Sequence, residues 1–457
     1  MDKIAEMVEK VNSQINGFVW GVPMIALFLF TGVFFTVKTG FFQIKNIRLI
    51  LKKTVLALFT EPNATKSSDK KAISQFQALS TALAGTIGTG SLVGVATAIA
   101  AGGRGAVFWM WVSAFFGMMT NYAEIVLGIK YRYKNQNKEW IGGPMLYIEN
   151  GLGCKWLAVA FAVLCVGASF GIGNMSQVNS IAQAVYSTFG ISKIAVGIAV
   201  ASAIAVVLIG GITRIGRLAE KTVPFIALAY TAITLYIIII SYKRIPSVML
   251  GIVADAFDFK SVQGGALGYG MFAAMKNGFA RGIFSNEAGL GSSVIVHSAA
   301  DVKHPAEQGV WGIVEVFADT MLVCTCTALV LLVSDAAGTG KNGSDMTIAA
   351  FSQYLGSFGE KFVAVAISVF AFCTLLGWSY YGERALEYLA GVKAAIYYKI
   401  IFVFFILIGS TASVNLVWEI SDTLNGLMAL PNLIAILMLS GDVFKITQEY
   451  KRANLCG

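Results

Sequence analysis

Histidine is scarce in this chain, with only His297 and His304 among 457 residues, and the motifs that carry most hydrolytic chemistry are missing as well. There is no GxSxG elbow, no HExxH pair and no phosphate loop of Walker type. The stretch GTIGTG at 85–90 has the glycines of a phosphate loop but no lysine to hold a phosphate, and it lies in an apolar run. The six cysteines, Cys154, Cys165, Cys324, Cys326, Cys373 and Cys456, show neither metal-ligand spacing nor an extracellular pairing pattern, which argues against a zinc site and a disulfide framework. Charge is scarce too: Asp, Glu, Lys and Arg make up 13% of the chain, too little for a soluble multidomain protein. No segment is of low complexity or long enough to form a separate soluble domain. An enzyme is not expected.

What the chain has is apolar length. Hydrophobic residues make up 56%, the mean hydropathy is +0.71, and apolar runs long enough to cross a bilayer recur throughout. The expectation is an all-α polytopic membrane protein with about eleven transmembrane helices, at 16–37, 73–101, 105–130, 156–188, 192–213, 217–242, 266–300, 308–335, 361–390, 396–416 and 421–441. Residues 42–58 mix Lys45, Arg48, Lys52 and Lys53 with apolar residues, as an interfacial amphipathic helix does. Ser344–Phe358 reads as a second surface helix, and Glu61–Lys71 as a loop. The N-terminal MDKIAEMVEKVNSQ precedes a full-length span and does not resemble a cleaved signal peptide.

A net charge of +9 reports topology in such a chain before it reports a nucleic-acid partner, and none is expected. Basic clusters (Lys45/Arg48/Lys52/Lys53, Lys130/Arg132/Lys134/Lys138, Arg214/Arg217 and Lys445/Lys451/Arg452) fall after odd-numbered spans and in the C-terminal tail, whereas the alternate loops hold few. The positive-inside rule then places the protein in the cell membrane with its N-terminus outside and its C-terminus cytoplasmic.

Two stretches interrupt the apolar pattern. Ser80–Gly94 (STALAGTIGTGSLVG) sets four glycines among serines and threonines without an acidic residue. Glycine weakens a helix interior by roughly 1 kcal/mol relative to alanine, and a bilayer tolerates open backbone only where it is buried in protein or lines a cavity. Gly85–Gly90 therefore reads as a helix unwound around something polar. Gly278–Ser293 (GFARGIFSNEAGLGSS) repeats the pattern. Glycine packing between intact helices explains either one alone, but a pair of such segments points to the binding site of a secondary transporter. Ionisable residues inside spans, Glu124, Lys276, Arg281, Glu287, Glu315, Asp319 and Glu383, are costly and need explanation. Lys276 and Arg281 are long enough to snorkel, and Glu287, placed beyond the second break, is expected to pair internally or to hold the opened backbone.

GVFFTVKTGFFQ (33–44), SQFQALSTALAGTIGTGSLVGVATAI (74–99), WIGGPMLYIENGLG (140–153), NGFARGIFSNEAGLGSS (277–293) and GWSYYGERA (377–385) together resemble the alanine or glycine:cation symporter family of the amino acid-polyamine-organocation superfamily. The likeness to archaeal sodium/alanine symporters covers nearly the whole chain. It implies the inverted five-plus-five repeat of the bacterial leucine transporter with an extra first span: residues 1–72 as N-terminal helix plus interfacial helix, 73–242 as the first repeat, 243–441 as the second and 442–457 as a cytoplasmic tail. The interrupted segments then open each half, as helices 2 and 7.

On that resemblance the substrate is alanine, and glycine with it, and the co-transported ion is sodium, with no organic cofactor, no obligate protein partner and only lipid as a further contact. The substrate carboxylate would meet N–H groups of Gly88, Thr89 and Gly90 at a half-helix N-terminus, and the ammonium carbonyls around Gly85, Thr86 and Gly282. Hydroxyls of Thr86 and Ser285 would assist, although back-bonding to the helix is the ordinary role of each. Sodium prefers hard oxygens, and the resemblance puts the carbonyls of Ala84 and Ile87 opposite Phe370, Cys373 and Thr374. Cys373 departs from the serine expected of a hydroxyl ligand. Trp378, Ile283, Phe284 and Phe170 would crowd the pocket and select small side chains. The alternative is a proton-coupled permease of the same fold, with Lys221 or a membrane acid as carrier; a channel or membrane enzyme is more distant.

Overall fold

The computed structural model describes residues 2–69, 71–257, 269–412 and 414–455, and side chains from Val11 onward except those of residues 269, 414–417 and 455. Nearly all of it is helical, the exceptions being short connections and a two-stranded hairpin, Tyr133–Lys134 paired with Trp140–Ile141. Among the described residues eight helical stretches are long and apolar enough to cross a membrane: Val11–Lys38, Gly105–Lys130, Lys155–Phe189, Gly211–Ile240, Pro305–Val333, Gly343–Ala390, Val392–Thr411 and Trp418–Met438. The pair Gln75–Thr86 and Gly90–Gly102, bent by 45°, makes a ninth.

Against the expected eleven, two spans take other forms. The one placed at 192–213 is the 16-residue helix Lys193–Leu208. The one placed at 266–300 starts outside the described residues and is seen as Tyr269–Asn286 followed by the short helix Ser293–His297. A helix at Ile245–Ala256 was not anticipated, because its 12 residues are too few to mark a span. The expected interfacial helix at 42–58 is three short helices, Phe42–Lys45, Ile47–Lys53 and Ala57–Thr60. Residues 344–358 do form a helix, set off from the following span by Gly356 at φ 58°. It does not simply lie on the surface: Met346, Ile348 and Phe351 are buried, and the Thr347 hydroxyl donates to the Leu92 carbonyl at 3.1 Å.

Burial grades from centre to rim. Gly211–Ile240 and Val392–Thr411 leave most of their residues uncovered, with Phe225, Leu228, Ile239, Ile400 and Phe404 exposed, as lipid-facing helices do. The two interrupted segments are at the opposite extreme, buried continuously over 78–96 and 278–300. They also run antiparallel. Ile73, at the start of the first, bridges to Ala300 at the end of the second, with Ile73 N donating to Ala299 O at 3.2 Å and Asp301 N to Ile73 O at 2.8 Å. Gly90 packs against Ser285, and Gly102 against Ala273 and Asn277. A capping box starts the first helix, Ser74 Oγ accepting from Gln77 N and Gln77 Oε1 from Ser74 N, both at 3.1 Å. Arg132 secures the far end of the second by donating to the carbonyls of Ser298, Ala300 and Val302.

Candidate binding site at the two helix breaks

The Gln75–Thr86 helix ends because Ile87 leaves the helical region, at φ −74° and ψ 81°, and Gly88 follows it before the chain recoils through the π-helical turn Gly90–Gly94. Glycine at 88 has a steric reason, since a methyl group there would collide with the Thr374 hydroxyl. That hydroxyl faces Ala84 O at 2.8 Å and Phe370 O at 3.1 Å as acceptors. Of the residues expected at sodium, the structure thus brings Ala84, Phe370 and Thr374 together beside the Ile87–Gly88 opening. The Cys373 thiol is buried one residue away and, among the described residues, forms no hydrogen bond to this group.

The polar atoms of this first break are incompletely satisfied. Thr89 N reaches Gln177 Oε1 at 3.4 Å, while the hydroxyls of Thr86 and Thr89 are buried without a partner. Buried hydroxyls are ordinarily hydrogen-bonded, and those that are not mark a place for a ligand, a water or an ion. Gln177 was not singled out from the sequence. It follows a second π-helical turn, Gly171–Met175, whose glycines were hidden inside a long apolar run.

The second break lies elsewhere than expected. Gly282 and Ser285 remain inside the Tyr269–Asn286 helix, and the chain opens only at 287–292, where Glu287, Gly289 and Gly291 have φ of 57°, 92° and 77°. Gly282 is a packing glycine, its Cβ position 2.5 Å from Ser113 Oγ on the neighbouring helix; its carbonyl is not at a helix end. Glu287 sits in the break itself and not beyond it. Its Oε1 accepts from Trp378 Nε1 at 2.7 Å and its Oε2 from Ser292 Oγ at 2.5 Å. The opened backbone is held in turn by Asn432, whose amide donates to Gly289 O at 2.9 Å and to the Glu124 carboxylate. Asn286 Oδ1 accepts from Ala288 N at 3.0 Å.

The two breaks face each other across Gly85. A methyl group on Gly85 would lie 2.9 Å from the Tyr381 hydroxyl and 3.2 Å from Glu287 Oε1, so the absent side chain is what lets the first helix approach the second break. Ser285 faces Ser91 at 3.0 Å and Asp319 Oδ1 at 2.9 Å.

The aromatic residues expected to share one wall are divided. Trp378 packs on Gly173 and Tyr381 beside Glu287. Phe284 stacks on Trp418 at 4.9 Å, next to an ion pair between Arg281 and Asp422. Arg281 is therefore paired inside the protein instead of snorkelling. Phe170 joins Tyr398, Phe402 and Phe405, and Ile283 is buried with its carbonyl engaged by Glu287 N at 2.9 Å. Trp418 of the Phe284–Trp418 stack also lines a cavity of about 250 Å³, together with Val93, Thr97, Asn179, Gln183 and Asp345.

A profile described as "Sodium:alanine symporter family" matches residues 5–456. The chain is 45% identical over 453 residues to the sodium/alanine symporter AgcS of Methanococcus maripaludis, covering 97% of each chain. It is 37% identical to the probable sodium/glutamine symporter GlnT of Bacillus subtilis, covering 99% of this chain and 92% of that protein. Among solved structures it resembles the manganese transporter of Eremococcus coleocola in complex with an aromatic bis-isothiourea substituted compound, with a TM-score of 0.54 over 83% of each chain at 15% identity; that likeness concerns the fold alone.

Proposed function

The chain belongs to the sodium:alanine symporter family, and from that premise we propose that it couples inward sodium flow to uptake of alanine, and of glycine, by alternating access. It is a multi-pass membrane transporter of amino acids and sodium, not an enzyme. The observation that carries the finer reading is the first break: a helix opened at Ile87–Gly88 in the buried centre, with the Thr86 and Thr89 hydroxyls unpartnered. The Gly88 N–H expected at the carboxylate is taken by Thr86 O at 2.8 Å, which leaves the N–H groups of Thr89 and Gly90 for a carboxylate. Ala84 O, Ile87 O, Phe370 O and Thr374 Oγ1 supply the hard oxygens that sodium favours.

In this reading the resumed helix after the break receives the substrate carboxylate, and sodium at Thr374 ties the first broken helix to the Gly343–Ala390 helix. Binding of each ligand then raises the affinity for the other by the same factor. The protein comprises an extra first span followed by two inverted halves of five spans each, 73–242 and 243–441, with the N-terminus outside and the tail inside; the antiparallel course of the two broken helices and the basic residues near Ile73 and Ala300 support this arrangement. Lys221 is exposed and makes a poor proton carrier at a buried site.

Substrate size is the open choice, because a relative is named for glutamine. Calorimetric titration of the purified protein in sodium and in choline chloride tests both points. Alanine and glycine are expected to bind in sodium only, and glutamine and leucine not at all. Glutamine binding as tight as alanine would overturn the assignment of a small pocket, and binding of equal strength in choline would overturn the coupling to sodium.

A further inference from the structure

Asp319 is fully buried in a π-helical stretch, Phe317–Cys324, of the Pro305–Val333 crossing. Its Oδ1 accepts from Ser91 Oγ at 2.5 Å and Ser285 Oγ at 2.9 Å, and its Oδ2 from Thr320 Oγ1 at 2.7 Å. Ser91 also lies 3.4 Å from the Thr86 carbonyl, and the hydroxyl of that same Thr86 is buried without a partner. The Cys324 thiol is at the edge, 3.9 Å from Oδ2.

The buried acids are not all balanced alike: Glu124 and Glu287, like Asp319, make no salt bridge among the described residues and are held by Asn432 and by Trp378 and Ser292 respectively, whereas others face a basic group. Asp422 is paired with Arg281, and Glu315 faces His297 at 2.9 Å. No lysine, arginine or histidine among the described residues makes a salt bridge with Asp319. A carboxylate in a membrane interior without an opposite charge is costly, and hydroxyl dipoles reduce that cost without cancelling the charge. One negative charge surrounded by hydroxyl and carbonyl oxygens is the donor set of a monovalent hard cation, with neither imidazole nor a close thiolate to favour a transition metal.

We propose that Asp319, Ser91, Ser285 and Thr320, with the Thr86 carbonyl, form a second sodium site, separate from the one at Ala84 and Thr374. Ser91 lies just after the first break and Ser285 just before the second. A cation held between them ties both broken helices to the Asp319 helix, so its release frees the two halves to separate. The Gly90 backbone, whose Cβ position is 2.9 Å from Ser285 Cα, holds the two serines at this spacing. The inference rests on sodium coupling and adds a second ion to it.

The test uses the full-length protein, with sodium chloride titrated at constant ionic strength against choline chloride. Two readouts are taken: thermal stability without substrate, and sodium dependence of alanine binding. The wild type is expected to be stabilised by sodium and to show a Hill coefficient for sodium of about two. Asp319→Asn and Thr374→Val each bring it to about one and retain part of the stabilisation, and the double variant loses the rest. Ser91→Ala keeps the carboxylate, removes one ligand oxygen and covers the case in which Asp319→Asn does not fold; its half-saturating sodium concentration rises by about ten-fold. An Asp319→Asn or, failing that, a Ser91→Ala protein with wild-type sodium curves would overturn the second site while leaving the coupling intact. A wild type that ignores sodium would instead overturn the proposed function on which the site depends.

Discussion

The two helix breaks solve the same problem in opposite ways. At Ile87–Gly88 the chain opens among glycines and neutral hydroxyls, and two of those hydroxyls, on Thr86 and Thr89, have no partner. At 287–292 it opens through three positive φ angles, and the protein's own side chains fill the gap: Glu287 takes Trp378 and Ser292, and Asn432 takes Gly289. An opened backbone inside a membrane protein must be satisfied by something. Where the protein supplies the partners, the break is a fixed support; where it leaves them out, the break is the place for a ligand. On this reading the first break binds and the second holds the shape against which it binds.

The largest effect that would test this contrast is expected from Glu287→Ala, which strips acceptors from Trp378 Nε1 and Ser292 Oγ. The loss should be roughly 2 kcal/mol or more, read as a fall in melting temperature with or without sodium. A variant that folds normally but binds alanine weakly would move Glu287 to the ligand side of the comparison. Gly85→Ala comes next: the new methyl presses on Tyr381 and Glu287, and overpacking of this kind costs about 1–3 kcal/mol. Both alanine binding and stability should fall, and Tyr381→Phe should restore part of the stability by removing the nearer oxygen.

Smaller and more selective effects are expected at the first break. Thr374→Val keeps the shape but removes the oxygen beside Ala84 O, and should raise the sodium requirement about ten-fold with little change in melting temperature; unchanged sodium dependence would remove Thr374 from the ligands. Trp378→Phe sharpens the comparison further. It keeps a ring over Gly173 but drops the hydrogen bond to Glu287, so stability should fall while alanine remains preferred to leucine. If the variant instead accepts larger side chains at full stability, Trp378 is a pocket wall and not a support.

The smallest effect should come from the polar clasp outside the spans. Asp301 is partly buried, which disfavours its charge, but hydrogen bonds from the Ser68 side chain and backbone and from Asp69 N outweigh that and hold its pKa below the usual carboxylate value. A depressed folded-state pKa gives stability that is present above the unfolded value of about 4 and is lost as the pH falls through the folded value. Asp301→Asn should therefore lower stability slightly at neutral pH, where the ionised carboxylate contributes, and flatten the acid limb, so that the variant and the wild type converge once the pH is below the folded-state value.

The contrast also accounts for which features were legible in the sequence. The first break was readable because a bilayer-length run with four glycines and no acid can hardly continue as an intact helix. The second was misplaced, since Gly278 and Gly282 look like breakers but are close-packing positions against Ala106 and Ser113, while the opening is made partly by Glu287, a residue type that does not announce a positive φ. The π-helical turn at Gly171–Met175 was hidden in a long hydrophobic run. Its signal was the mid-span polar series Asn174, Gln177 and Asn179, which apolar length alone discards. The aromatic wall failed as a unit because which face each ring takes depends on the bends in three helices, and periodicity within one helix does not encode those bends.

The central claim, that a sodium gradient drives alanine through these two breaks, is tested most directly by uptake of labelled alanine into proteoliposomes containing the purified protein. The account predicts accumulation above the external concentration under an inward sodium gradient, collapse of that accumulation when the gradient is dissipated, and a shift to higher sodium in Thr374→Val. Equal accumulation driven by an inward proton gradient without sodium would contradict it.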